Sequence, residues 1–502
     1  MSTSESRGGG WAELLLALLV AGTVLLPADL PMVDWPQHAA QVAGLHDLAL
    51  GRCEYGAIYR VNWLTPYWLG YLPATLLAFV LPVELALRLV LLVGLLTLPL
   101  ALRLLLRELG RDERWSLVSF AAVFGANFDW GFFTFLVAAP LALLLGWLAV
   151  RQLRRPSIAL AAGLAAVGLV TFAGHAVAAG CGFFLAGALG LLVVPEIGFA
   201  AAVRRLAPLL VPAGLAAGWL TVLQRWEPAT RDGLKYGAPV ARRFAELPRL
   251  LTGLVDSALA IAFVLLLALA FRLAGAKLAR APERWAPLGA TLAVYAFTPN
   301  YLMGTANLYM RMLILLIPCL LIAVAPAPGE GSRGWRRAAL PIAVALLLLA
   351  NAARIAAFAV ESAGLDEVLA AAPQRERLLY LPLDRDSAHS IAPVYLHSGA
   401  RYTVGRCGVS AVSFASAFTT ALRFRPETEP RLPAGFEWQA ARLRWEGVRG
   451  QFGLFLVHAG EPILSRALFG ADGRVELLAQ RGSWSLYRAL PGERTPPPGA
   501  DS

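Results

Sequence analysis

Apolar runs of nearly bilayer length succeed one another through residues 11–360, with short clusters of arginine and lysine between them. The runs fall at 11–30, 84–106, 114–128, 131–150, 157–173, 176–194, 204–223, 253–273, 285–300, 308–325 and 338–360. Most come close to the ~20 residues a helix needs to cross the hydrocarbon core. A soluble domain carries about 25% charged residues, whereas 15% of these 502 residues are charged and 58% are hydrophobic. The pattern predicts a polytopic α-helical membrane protein of about 11–12 helices.

The net charge of +11 does not point to nucleic acid. The basic residues cluster at Arg103 to Arg114, Arg151 to Arg155, Arg204-Arg205, Arg272 to Arg284 and Arg333 to Arg337, a positive-inside signature that reports topology. With a cytoplasmic N-terminus, all of them land in the cytoplasm provided that 66–82 does not cross. That stretch is bounded by Pro66 and Pro82 with Pro73 inside, so a re-entrant or tilted segment is expected. Met1 to Gly10 holds one arginine and no A-x-A pattern, so the first run is read as a retained anchor. The expected setting is a bacterial-type inner membrane. The outer face then collects 31–65, the turn at Asp129, Gly174-His175, the loop 224–251, the turn Asn300 to Asn307 and everything after Glu361.

Beyond a membrane domain at 1–361 the chain changes character. Leu378 to Leu381, Phe452 to Val457 and Trp484 to Tyr487 read as strands, which predicts a soluble, α/β or β-rich, extracytoplasmic domain at 362–490. The tail 491–502, with prolines between Thr495 and Gly499, is expected to be disordered. Cys181 and Cys319 lie in apolar runs and read as buried small hydrophobes. Cys53 and Cys407 both fall outside in this topology. An oxidising compartment would join them if the fold brings them together, and two unrelated thiols are the alternative.

The polar exceptions gather on that outer side. Asp34 follows the first run and His38 lies four residues on, at the head of an amphipathic stretch too polar to span. Asp34 reads as a helix cap or as a general base for an acceptor hydroxyl. Asp129, in Phe128-Asp129-Trp130-Gly131, is a turn residue or a second acid facing Asp34. Together the two acids are candidate ligands for a divalent metal, Mg or Mn. His175 is a packing histidine or a substrate ligand. Arg231 and Lys235 lead a loop that also carries Arg225, Arg242, Arg243 and Arg249, and Arg311 opens an apolar run. Each is a candidate phosphate clamp, against an interfacial or snorkelling role. Asp384-Arg385-Asp386 reads as an acidic turn rather than a metal motif.

The order of parts resembles the GT-C superfamily of membrane glycosyltransferases, closest to the branch of protein O-mannosyltransferases and the lipid A aminoarabinose transferase. Asp34 to His46 is similar to the acid-led helix of that branch's first outer loop, and Phe128 to Gly131 to its second outer acid. Trp63-Leu64-Thr65-Pro66-Tyr67-Trp68 looks like the start of its second span. This sequence departs from the usual Asp-Glu pair, because Trp35 follows Asp34. The resemblance implies transfer of a sugar from a polyprenyl-phosphate or polyprenyl-pyrophosphate carrier to a hydroxyl of a lipid, glycan or protein. Asp34, Asp129 and His38 would be the catalytic residues, while Arg231, Lys235, Arg311 and His175 would bind substrate. The competing class is a non-enzymatic transporter, flippase or assembly component for envelope glycolipids. The absence of an evident internal repeat favours the enzyme.

Overall fold

The computed structural model describes residues 5–226, 235–302, 305–332 and 334–491, apart from 418, 434, 449, 462–463, 465–467 and 470–473. The candidate clamp Arg231 and the tail from 492 lie outside the described residues.

The membrane part is a bundle of apolar helices. Among the described residues, five are long and apolar enough to cross a bilayer: Val83–Glu108, Phe133–Arg154, Ala176–Ile197, Phe199–Arg225 and Gly334–Ala370. Val240–Thr252 and Ser257–Leu273 form a pair bent by 74°, and Gly10–Leu25, Trp68–Ala78, Ile158–Gly174 and Leu308–Val324 are shorter apolar helices.

Hydrogen bonds sort the helix ends into two groups. At one end Arg103 pairs with Glu13, Arg154 with Glu196 at 3.3 Å and Lys277 with Glu330 at 3.0 Å. Arg205 donates to the Leu153 carbonyl, and Arg337 to the Ser332 carbonyl at 2.8 Å. The basic clusters therefore converge on one end of the bundle.

The other end holds Asp34 and the turn at Asp129. The helix Trp68–Ala78 returns to it: Tyr71 meets His38, and Glu84, just past Pro82, accepts from Trp35 Nε1 at 2.6 Å. Residues 66–82 thus begin and finish against the same helix, Trp35–Ala49.

The run 114–128 does not form an ordinary spanning helix. Glu113–Ala122 is a 3-10 helix, followed by the short turn of helix Ala126–Asp129. Its longer rise of about 2.0 Å per residue carries few residues far. Trp115 to Ala121 are buried among neighbouring helices, where irregular backbone is tolerated because it never meets lipid. The basic loop 224–251 also differs from a plain loop, since Val240–Thr252 is an amphipathic helix. Arg243 there is 1% exposed and donates to the carbonyls of Tyr295, Ala296 and Thr298. It caps the end of the helix Ala286–Phe297.

Past the last apolar helix the chain builds a five-stranded sheet, with Arg377–Pro382, Leu454–His458 and Trp484–Ala489 at its centre. The first of these runs parallel to the second, and the second antiparallel to the third. Continuous burial along Leu378 to Pro382 and Leu454–His458 matches their apolar sequence, and apolar clusters cover both faces.

This sheet domain is fastened to the first outer loop. Tyr59–Val61 pairs antiparallel with Leu422–Phe424, and Cys53 is bonded to Cys407 across 354 positions. The side-chain amides of Gln37 and Gln41 reach the backbone at Val412, Phe414 and Leu422 as an added strand edge would.

Candidate active site

Arg88 shapes the approach to Asp34. Its guanidinium donates to the carbonyls of Val24 at 3.0 Å, Pro27 at 2.6 Å and Ala28 at 2.8 Å, satisfying the carbonyls that the first helix leaves free at its end. Asp29 then accepts from Arg401 of the sheet domain at 2.9 Å. Five residues later Asp34 stands at the N-cap of Trp35–Ala49, yet its side chain accepts no capping hydrogen bond. Its Oδ1 instead accepts from His397 Nδ1 at 2.9 Å.

The turn at Asp129 packs directly against this point. Val33 N donates to the Asp129 carbonyl at 2.9 Å. Gly131 has φ +74°, and a Cβ there would stand 2.6 Å from Asp34 N, so both conformation and space call for glycine. The carboxylate of Asp129 is taken up by other partners. It accepts from Arg354 Nη1 at 2.8 Å and Nη2 at 2.9 Å, and from Ile391 N at 3.0 Å. Asp129 is wholly buried and Arg354 7% exposed. Burial pushes the Asp129 carboxyl up, and the Arg354 fork and the Ile391 N–H oppose it. The Asp129 main chain thus holds Val33, next to Asp34, while its own carboxylate is committed to Arg354 and Ile391. A metal shared between Asp34 and Asp129 does not fit this arrangement. No group of three or more potential ligands exists among the described residues.

His38 is held at both ring nitrogens. A carbonyl only accepts, so Nε2 donates to the Gly131 carbonyl at 3.1 Å, and Nδ1 accepts from the Tyr71 hydroxyl at 2.8 Å. Burial lowers its pKa to about 4. Through these two bonds a neutral His38 braces two helices against the Asp129 turn. His175 caps Ala176–Ile197, its Nδ1 accepting from Val177 N at 3.0 Å, and lies against the Tyr67 ring, tilted, at 4.9 Å between centroids.

Arg311 stands apart from the other cations. It is 7% exposed, and its Nε and Nη1 have no hydrogen-bond partner among the described residues. Its guanidinium lies over the Phe132 ring at 3.7 Å and interacts electrostatically with Tyr67 and Asp34. His38 and His175 in turn sense its charge. The structure thus groups Asp34, His38, His175 and Arg311. Lys235 is not tied to this group: it pairs with Tyr301 through its backbone and lies over that ring at 5.1 Å. Asp384 and Asp386 form a local turn, Asp386 N donating to Asp384 Oδ1 at 3.4 Å. A cavity of about 580 Å³ opens at the opposite, basic end of the bundle, between Glu13, Arg103, Asp112 and Arg337.

Sequence reasoning missed His397 and Arg354. Arg354 had a signal, a charge inside an apolar run. His397 had none beyond being one of six histidines.

No protein-family profile matches the chain, and no curated protein matches it. Among solved structures, that of ArnT from Cupriavidus metallidurans in the apo state is similar at 11% identity and a TM-score of 0.38, over 98% of this chain and 100% of that one. A score of that size lies below the level at which two folds are taken as the same.

Proposed function

We propose that this membrane protein is a glycosyltransferase of the GT-C type, moving a sugar from a polyprenyl-phosphate or polyprenyl-pyrophosphate carrier to a hydroxyl acceptor at the outer membrane face. The carrying observation is Arg311, a buried cation with two nitrogens that meet no hydrogen-bond partner among the described residues, within the electrostatic reach of a carboxylate that does not cap its own helix. Buried guanidinium nitrogens without hydrogen bonds are costly even over an aromatic ring, and an anionic group entering the site would relieve that cost. Asp34 takes the proton of the acceptor hydroxyl while the acceptor oxygen bonds to the anomeric carbon. The bond from that carbon to the phosphate oxygen breaks, and its electron pair leaves on the phosphate, opposite Arg311. The products are the glycosylated acceptor and the carrier phosphate.

The orientation belongs to the same reading, with the basic end cytoplasmic and the Asp34 end and sheet domain outside. No step passes through a metal.

Native mass spectrometry of the detergent-solubilised full chain with undecaprenyl phosphate as probe tests the anion site. Arg311→Met should weaken retention of the probe at least tenfold, while Asp34→Asn should keep it. Equal retention by Arg311→Met would remove the basis of the proposal.

A further inference from the structure

His397 lies 363 positions from Asp34 and belongs to the 3-10 helix Val394–Tyr402 of the sheet domain. A carboxylate only accepts, so the proton of the His397–Asp34 bond sits on Nδ1. Phe414 braces the imidazole edge-on at 5.6 Å and His38 at the same distance. Phe414 is itself fixed, its N–H donating to Gln37 Oε1 at 2.9 Å.

The pair differs from the structural ion pair next to it. Asp129 and Arg354 are 0% and 7% exposed, whereas Asp34 and His397 are 18% and 13% exposed. The Asp34 pair is partly exposed, and His397 holds only one of the two carboxylate oxygens.

We infer that His397 is a positioning residue for Asp34, locking Oδ1 so that Oδ2 faces the acceptor, and that the sheet domain is thereby part of the active site. The inference rests on the reading of Asp34 as the base. During transfer the acceptor proton passes to Oδ2 and His397 keeps its Nδ1 proton. Protonated Asp34 then returns the proton to water. A charge-assisted hydrogen bond lost from this arrangement costs about tenfold to a hundredfold in rate.

The first test is spectroscopic and independent of activity. In the full chain labelled with 15N-histidine, with His397 assigned by its loss in His397→Asn, the neutral ring should carry its proton on Nδ1. Asp34→Ala should shift it to the Nε2–H form. An Nε2–H ring in the wild-type chain overturns the inference.

The second test is the restoration of envelope glycans in a deletion strain, at equal protein level and with the Cys53–Cys407 peptides still linked. His397→Ala should restore at least tenfold less than wild type. His397→Asn, whose side-chain N–H can stand where Nδ1–H stood, should come within about threefold. If His397→Ala restores fully while Asp34→Asn restores nothing, the positioning role falls and the base survives. If His397→Asn is as poor as His397→Ala, the positioning role also falls. Full restoration by Asp34→Asn overturns both.

Discussion

Replacing Asp129 by Asn separates a structural acid from a catalytic one. The substitution hardly changes shape, but it removes the charge that faces Arg354 across bonds of 2.8 and 2.9 Å, in a pair that is 0% and 7% exposed. The guanidinium then keeps only neutral acceptors, the His389 carbonyl and the side-chain oxygen of Asn351 chief among them. Breaking one partner of such a buried pair costs about 3–5 kcal/mol. Replacing both by apolar groups, as in Asp129→Leu with Arg354→Met, should recover much of that, because neither charge is left buried. Asp34→Asn, at a partly open position, should stay within about 1 kcal/mol of wild type. Denaturant unfolding of the full chain in detergent measures these three variants against wild type, with the single Asp129→Leu and Arg354→Met chains completing the double-mutant cycle. An Asp129→Asn chain as stable as wild type would refute the reasoning. Loss of transfer without loss of stability would return that carboxylate to the catalytic group.

His38 supplies a pH dependence. Its folded pKa of about 4 lies below the ordinary 6.5, so the unfolded chain binds more protons between those values. Its contribution is complete above pH 6.5 and falls by about 3 kcal/mol as the pH drops from there through 4; the acid limb of the unfolding curve should flatten in His38→Asn. Gly131→Ala forces a Cβ to 2.6 Å from Asp34 N at φ +74°. It should cost about 1–3 kcal/mol and lower transfer, which unfolding and glycan analysis would both register. Non-reducing peptide mapping should recover the peptides of Cys53 and Cys407 joined, and alkylatable thiols at both positions would contradict that.

Features written in local sequence carried through to the structure, and features made by distant contacts did not. The strands around Leu379, Phe455 and Leu486 follow from short apolar runs between turn residues. The return of the short helix Trp68–Ala78 toward Trp35–Ala49 accords with the three prolines of 66–82. Asp34 was legible as an acid at the end of an apolar run, but the partner its carboxylate takes in place of its own helix end is His397, which no local spacing places beside it. Asp129 was legible only as an acid in a turn. Its orientation is set by Arg354, more than 200 positions away. The 3-10 path of Glu113–Ala122 could not be read from hydropathy, because a buried irregular segment and a lipid-facing helix are equally apolar. Arg243 reads as a free cation in the sequence and becomes a carbonyl cap once Tyr295 to Thr298 fold against it.

The measurement that bears most directly on the account is mass spectrometry of envelope glycans in a strain lacking this protein, complemented with wild type or with Asp34→Asn at matched membrane levels. The account predicts a lipid, glycan or protein species that loses one sugar in the deletion, regains it with wild type and stays without it with Asp34→Asn. An unchanged glycan profile in the deletion, or full recovery with Asp34→Asn, would contradict it.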